Sequence, residues 1–84
     1  MEILLFSSRT CVHCRVIERF LHELSLDYRK FYVDDVEGFD AAQEYGVLAV
    51  PTLVVKADDG SVHKIVGLPQ DFRERIMSMV GSRK

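Results

Sequence analysis

The sequence predicts an α/β domain, a four-stranded mixed sheet flanked by helices in the order β-α-β-α-β-β-α. Three observations carry this. Two strand-like apolar runs flank an amphipathic helical stretch, a βαβ arrangement that favours parallel pairing. An Asp59-Gly60 turn signal sits between two further runs and marks a hairpin. The last stretch carries apolar residues at helical spacing. At 84 residues the chain has room for one domain, 1–84.

Residues 2–6 (E-I-L-L-F) read as a mostly apolar strand, of the kind found at the centre of a sheet covered on both faces. Ser7-Ser8-Arg9-Thr10 breaks the run. From Cys11 to about Ser25, Val16, Ile17, Phe20, Leu21 and Leu24 form one helical stripe. Arg15, Glu18, Arg19, His22 and Glu23 occupy the other face, with Arg19 and Glu23 spaced to pair. Tyr28 to Val33 is rich in aromatic residues and reads as a second strand ending at Asp34-Asp35. A second helix is expected from about Gly38 to Tyr45, with Gly46 as its stop. Leu53–Lys56 and Val62–Val66 are the hairpin strands, antiparallel across a two-residue turn, and Gly67 ends the second. Pro69 suits the first turn of a last helix, and Asp71 and Glu74 favour its positive end. Phe72, Ile76, Met79 and Val80 supply its apolar face, and Gly81 closes it.

Composition removes several classes of function. An apolar content of 48% argues against disorder. A net charge of −2 with scattered basic residues gives no footprint for nucleic acid, and the Arg83-Lys84 tail is too short to change that. The first residues lack the charged and apolar segments of a secretory signal, and no apolar run approaches the roughly 20 residues of a membrane span. A cytoplasmic monomer is the expectation, and structural disulfides are uncommon in that compartment. Cys11 and Cys14 in T-C-V-H-C-R are the only cysteines. Such a pair reads as redox or metal chemistry before it reads as a staple.

The reactive form of a cysteine is the thiolate, and a free thiol is mostly protonated at pH 7. A helix N-terminus favours the anion, because its first N–H groups lack partners and its dipole is positive there. Cys11 at the tip is therefore the expected nucleophile, and Cys14, more buried on the same turn, the resolving thiol. His13, when protonated, would add positive charge near Cys11 and tune it further. Val12 is placed to touch a protein partner, and Arg9 to support the thiolate or steer an anionic partner.

The C-V-H-C turn, the G-V-L-A-V-P-T segment before the third strand and Gly67 together resemble the thioredoxin/glutaredoxin family over nearly the whole chain. The resemblance implies a thioredoxin-like fold and a redox-active Cys11–Cys14 disulfide exchanging electrons with disulfide-containing proteins. It implies a cis Pro51 beside the cysteines and a Val50 backbone that binds an extended substrate segment as an added strand. No cofactor beyond the cysteine pair is implied. Departures matter for the partner. Glutaredoxins carry Pro-Tyr where this chain has Val12-His13, and a basic residue where it has Ser8, with Arg9 one step late. Their glutathione-binding segment survives only as Val66 to Asp71, so the resemblance does not imply glutathione as the obligatory partner. Thioredoxins carry a tryptophan before the first cysteine and a buried acid in the first strand, and this chain has neither. It is most similar to compact glutaredoxin-like redoxins, which implies a thioredoxin-reductase-like electron donor, with glutathione as the alternative.

Two rival readings remain. Soft Cu(I) or Zn(II) could use the two thiolates, but a zinc site would need His13, His22 or His63 as further ligands, and each reads as a surface histidine. No metal is therefore assigned. A non-catalytic binding module would keep the fold without cycling the thiols.

Overall fold

The chain runs β1 (Glu2–Ser7), α1 (Val12–Glu23), β2 (Arg29–Tyr32), α2 (Val36–Glu44), β3 (Thr52–Lys56), β4 (Val62–Val66) and α3 (Phe72–Gly81) in a computed structural model that describes residues 1–81. The Val80 side chain, the chain after Gly81 that would show α3 closing there, and the Arg83-Lys84 tail lie outside the described residues. The sheet order is β2-β1-β3-β4. β1 pairs parallel with β2 and antiparallel with β3, and β3 pairs antiparallel with β4. The sheet is thus mixed and four-stranded, as the sequence predicts.

The two central strands explain the continuous apolar runs. Ile3 and Leu5 of β1 join Leu53 and Val55 of β3 on one face, where Ile17 and Leu21 of α1 and Phe72 and Ile76 of α3 close the core. Leu4, Phe6 and Val54 point to the other face, packed with Ala42 of α2. Because side chains alternate along a strand, each run feeds both layers.

Both α1 and α2 end in a backbone motif in which two carbonyls of the last turn are met by the next N–H groups. The Ser25 N–H donates to the His22 carbonyl at 3.0 Å, and the Leu26 N–H to Leu21 at 2.9 Å. In α2 the Gly46 N–H donates to Gln43 at 3.2 Å, and the Val47 N–H to Ala42 at 2.8 Å. The motif requires a left-handed residue, which glycine supplies at Gly46 (φ 69°) and Ser25 supplies at φ 56°. Only the glycine was legible as a stop.

Four expectations need correction. α2 starts at Val36, with Asp35 as its N-cap, rather than at Gly38. The hairpin loop holds three residues, not two. The Ala57 N–H donates to the Ser61 carbonyl (2.9 Å) and the Gly60 N–H to the Ala57 carbonyl (3.0 Å), with Gly60 at φ 93°. That is a type I turn followed by a left-handed glycine, which absorbs one more residue than a two-residue turn. Pro69 precedes α3 instead of sitting in its first turn, and its carbonyl accepts from the Phe72 N–H at 3.0 Å. Glu23 reaches across to Arg73 of α3 at 3.2 Å rather than pairing with Arg19.

A polar cluster ties α1 to β2. The Tyr28 hydroxyl donates to Glu18 at 2.8 Å, and Lys30 Nζ lies 2.8 Å from the same carboxylate. Burial alone would raise the Glu18 carboxyl, but the hydrogen bonds from Lys30 and Tyr28 outweigh it and hold Glu18 below its ordinary range. Burial and the bond to Glu18 push the Tyr28 phenol up to about 12. A raised folded value means that Tyr28's contribution is intact below pH ~10 and is lost as pH rises through about 12. Tyr28→Phe is expected to delete that late-ionising phenol from an alkaline absorbance titration and to flatten the loss of stability across that window. An unchanged titration curve would contradict the assignment.

Candidate active site

One end of the sheet collects every chain segment that carries the motif. β1 ends at Ser7, opposite Tyr32 at the end of β2. The antiparallel β3 begins there at Thr52, opposite Phe6, and β4 ends there at Val66, opposite Thr52. The β1–α1 turn with the cysteines, the β2–α2 turn, Pro51 and Gly67 therefore share this end. Topology achieves this without sequence proximity, since Pro51 lies 37 positions after Cys14.

Cys11 is the N-cap of α1 with extended backbone (φ −82°, ψ 107°), and its N–H donates to the Ser8 carbonyl at 3.2 Å. Cys14, one turn on, is 2% exposed, whereas Cys11 is only half-buried. The two form a disulfide with Cα atoms 5.5 Å apart. Val12 and His13 between them face solvent, Val12 at 74% exposure. The Val50–Pro51 peptide is cis. Pro51 is buried, and its carbonyl accepts from the Gly67 N–H at 2.7 Å. Thr52 Oγ1 donates to the Ala49 carbonyl at 2.7 Å and so shapes the turn into Pro51.

Arg9 does not stand free beside the thiols. Its Nη1 lies 3.2 Å from Asp34 and 3.0 Å from Asp35, its Nη2 lies 3.1 Å from the second Asp35 oxygen, and its guanidinium stacks 4.3 Å from the Tyr32 ring centre. The hydrogen bond from Arg9 holds the Asp35 carboxyl below its ordinary range. The Asp34-Asp35 doublet was visible in the sequence as a strand end, but nothing in the one-dimensional pattern joined it to Arg9. Leu48, 97% exposed in the loop before Pro51, likewise carries no signal in the one-dimensional pattern. It borders a mostly apolar cleft of about 400 Å³ with Val33, Phe39, Ala42, Val47 and Val50.

His22 and His63 are both exposed, at Tyr28 (3.3 Å) and Ser61 (3.3 Å) respectively. Among the described residues no group of three or more His, Cys, Asp or Glu is arranged to hold a metal ion. No helix among them is long and apolar enough to cross a membrane.

Comparison with known proteins gives consistent matches. The glutaredoxin family model matches residues 3–59. A thioredoxin of Methanocaldococcus jannaschii is 37% identical over 62 residues, 69% of this chain and 73% of that protein. An H-type thioredoxin of Picea mariana is 38% identical over 73 residues, 83% of this chain but only 58% of that longer protein. Among solved structures, a thioredoxin from Halobacterium salinarum superposes with a TM-score of 0.76 at 28% identity, covering 95% of this chain and 71% of that one.

Proposed function

Because the chain belongs to the thioredoxin/glutaredoxin family and is a thiol–disulfide oxidoreductase, we propose that Cys11 attacks the substrate disulfide and Cys14 resolves the intermediate. The Cys11 thiolate displaces one substrate sulfur as a thiolate and forms a mixed disulfide. Cys14, deprotonated, attacks Cys11, releases the second substrate thiolate and leaves the Cys11–Cys14 disulfide. Two electrons pass to the substrate in each cycle. The observation that carries this assignment is the contrast in burial: a half-buried Cys11 at the helix tip and a 2% exposed Cys14 behind it. A partner sulfur reaches the first and not the second.

The substrates are disulfide-containing proteins. The Val50 backbone pairs with an extended substrate segment, Pro51 sits beside the cysteines, and Val12 adds an apolar contact. His13, one residue before Cys14 in the same turn, would support the Cys11 thiolate when it carries positive charge. The protein works as a cytoplasmic monomer, without cofactor, metal, nucleic acid or membrane. A thioredoxin-reductase-like enzyme is the electron donor. The departures from the glutathione-binding pattern at Ser8 and Val66 to Asp71 favour it over glutathione.

Thiol counting with coupled assays tests this. The reduced protein should titrate two thiols, and none after mild oxidation. It should oxidise NADPH through thioredoxin reductase with insulin as acceptor, faster than through glutathione and glutathione reductase. Two thiols persisting across a dithiol/disulfide buffer series would end the redox reading. Stoichiometric copper or zinc in freshly purified reduced protein would favour metal handling.

A further inference from the structure

We propose that Asp34 and Asp35 set the charge selectivity of the site: by holding Arg9 they deny its guanidinium to carboxylate-bearing disulfides and leave the site suited to uncharged ones. This rests on the thiol–disulfide reading above and extends it to substrate class.

The fork of Arg9 is already filled. Its Nη1 and Nη2 meet the two Asp35 oxygens at 3.0 and 3.1 Å, the bidentate arrangement by which arginine recognises a carboxylate. Asp34 adds a third contact at 3.2 Å. Stacking on Tyr32 at 4.3 Å fixes the plane of the guanidinium. The Asp35 side chain thus occupies the place that a substrate carboxylate would take.

The location makes this matter for catalysis. Arg9, Thr10, Cys11, Val12 and Arg15 line one shallow cleft of about 280 Å³, so two arginines border the cleft that holds the attacking cysteine. Arg15 makes no ion pair among the described residues. On charge alone the cleft would select anions. Asp34 and Asp35, behind Arg9 on the β2–α2 turn, bring the sum of these four charges to zero. His13 on the same turn as Cys11 is the remaining titratable neighbour. Neutralising the two acids would leave two uncompensated positive charges at the nucleophile. Charges within about 10 Å act on each other at low salt and are screened at high salt.

Three small disulfides of graded charge test the proposal: hydroxyethyl disulfide (neutral), dithiodipropionate (dianionic) and cystamine (dicationic). In each reaction Cys11 and Cys14 are oxidised to their disulfide and the probe is reduced to two thiols, so the chemistry balances identically. The ratio of rates for anionic and neutral probes cancels any change in Cys11 reactivity common to both. Asp34→Asn/Asp35→Asn is expected to raise that ratio about threefold or more in low salt, with the gain collapsing in high salt. The cystamine ratio should move the other way. Asp35 makes no side-chain capping bond and asparagine is itself a favoured N-cap residue, so α2 is retained. Adding Arg9→Gln should remove most of the gain. An unchanged ratio in the double variant, or a gain untouched by Arg9→Gln, overturns the proposal while leaving the redox function intact. Failure of the wild-type protein to reduce the neutral probe would instead overturn the redox reading beneath it.

Discussion

Cys14→Ser is expected to convert the protein from a catalyst into a trap. Cys11 in this variant can still attack, because its position at the tip of α1 does not depend on the second sulfur. A free thiol is mostly protonated at pH 7, and the partnerless N–H groups and positive dipole of a helix N-terminus favour the thiolate there. What the variant loses is release. Cys14 attacks from within the same turn at an effective concentration far above that of any external thiol, so resolution should slow about a hundredfold or more. Mixed disulfides with substrate proteins should therefore accumulate and survive non-reducing electrophoresis. Cys11→Ser should give neither turnover nor trapped partner, since the remaining sulfur is 2% exposed. Equal trapping by the two variants would remove the assignment of roles, though not the redox function.

The site was legible in the sequence to the extent that it depends on local pattern. A Cys-x-x-Cys opening an amphipathic stripe needs only helix periodicity to be placed, and α1 indeed begins at Val12 with Cys11 as its cap. The continuous apolar run of β1 announced a sheet covered on both faces, and the structure puts β1 at its centre beside β3. The Val-Pro segment marked the start of the third strand, where Pro51 lies. Long-range polar pairing was illegible. Arg9 meets Asp34 and Asp35 only because β1 and β2 end side by side, a consequence of the crossover and not of either turn. The same holds for Glu23 and Arg73, 50 residues apart. Propensity misled in two places. Ser25 takes a left-handed conformation where glycine is the usual signal, and the loop after Ala57 uses its Gly60 for a longer turn.

Gly38 shows the same failure most sharply and carries a large expected effect. The sequence pattern starts the second helix at about Gly38, yet Gly38 lies inside α2 and is buried. Helix α2 crosses the end of β2 so closely that a Cβ at position 38 would overlap the backbone carbonyl of Tyr32. In an open helix, alanine would gain about 1 kcal/mol over glycine. Here the obstructing atom is backbone, held by the parallel β1–β2 ladder and by the Asp35 N–H, which donates to that same carbonyl at 3.0 Å. Relief requires α2 to move, at about 1–3 kcal/mol or more for overpacking of this kind. Gly38→Ala is thus expected to lower stability by roughly 2 kcal/mol, a large share of what so small a domain holds. The measurement is the urea midpoint against Asp40→Ala, an exposed change on the same helix that should stay within about 0.5 kcal/mol of wild type. Because Asp35 is the N-cap of α2, displacement of the helix should also loosen the Arg9 contacts and make the reaction with an anionic disulfide more sensitive to salt. A Gly38→Ala protein as stable as wild type would mean that α2 does not press on β2 as tightly as this packing requires.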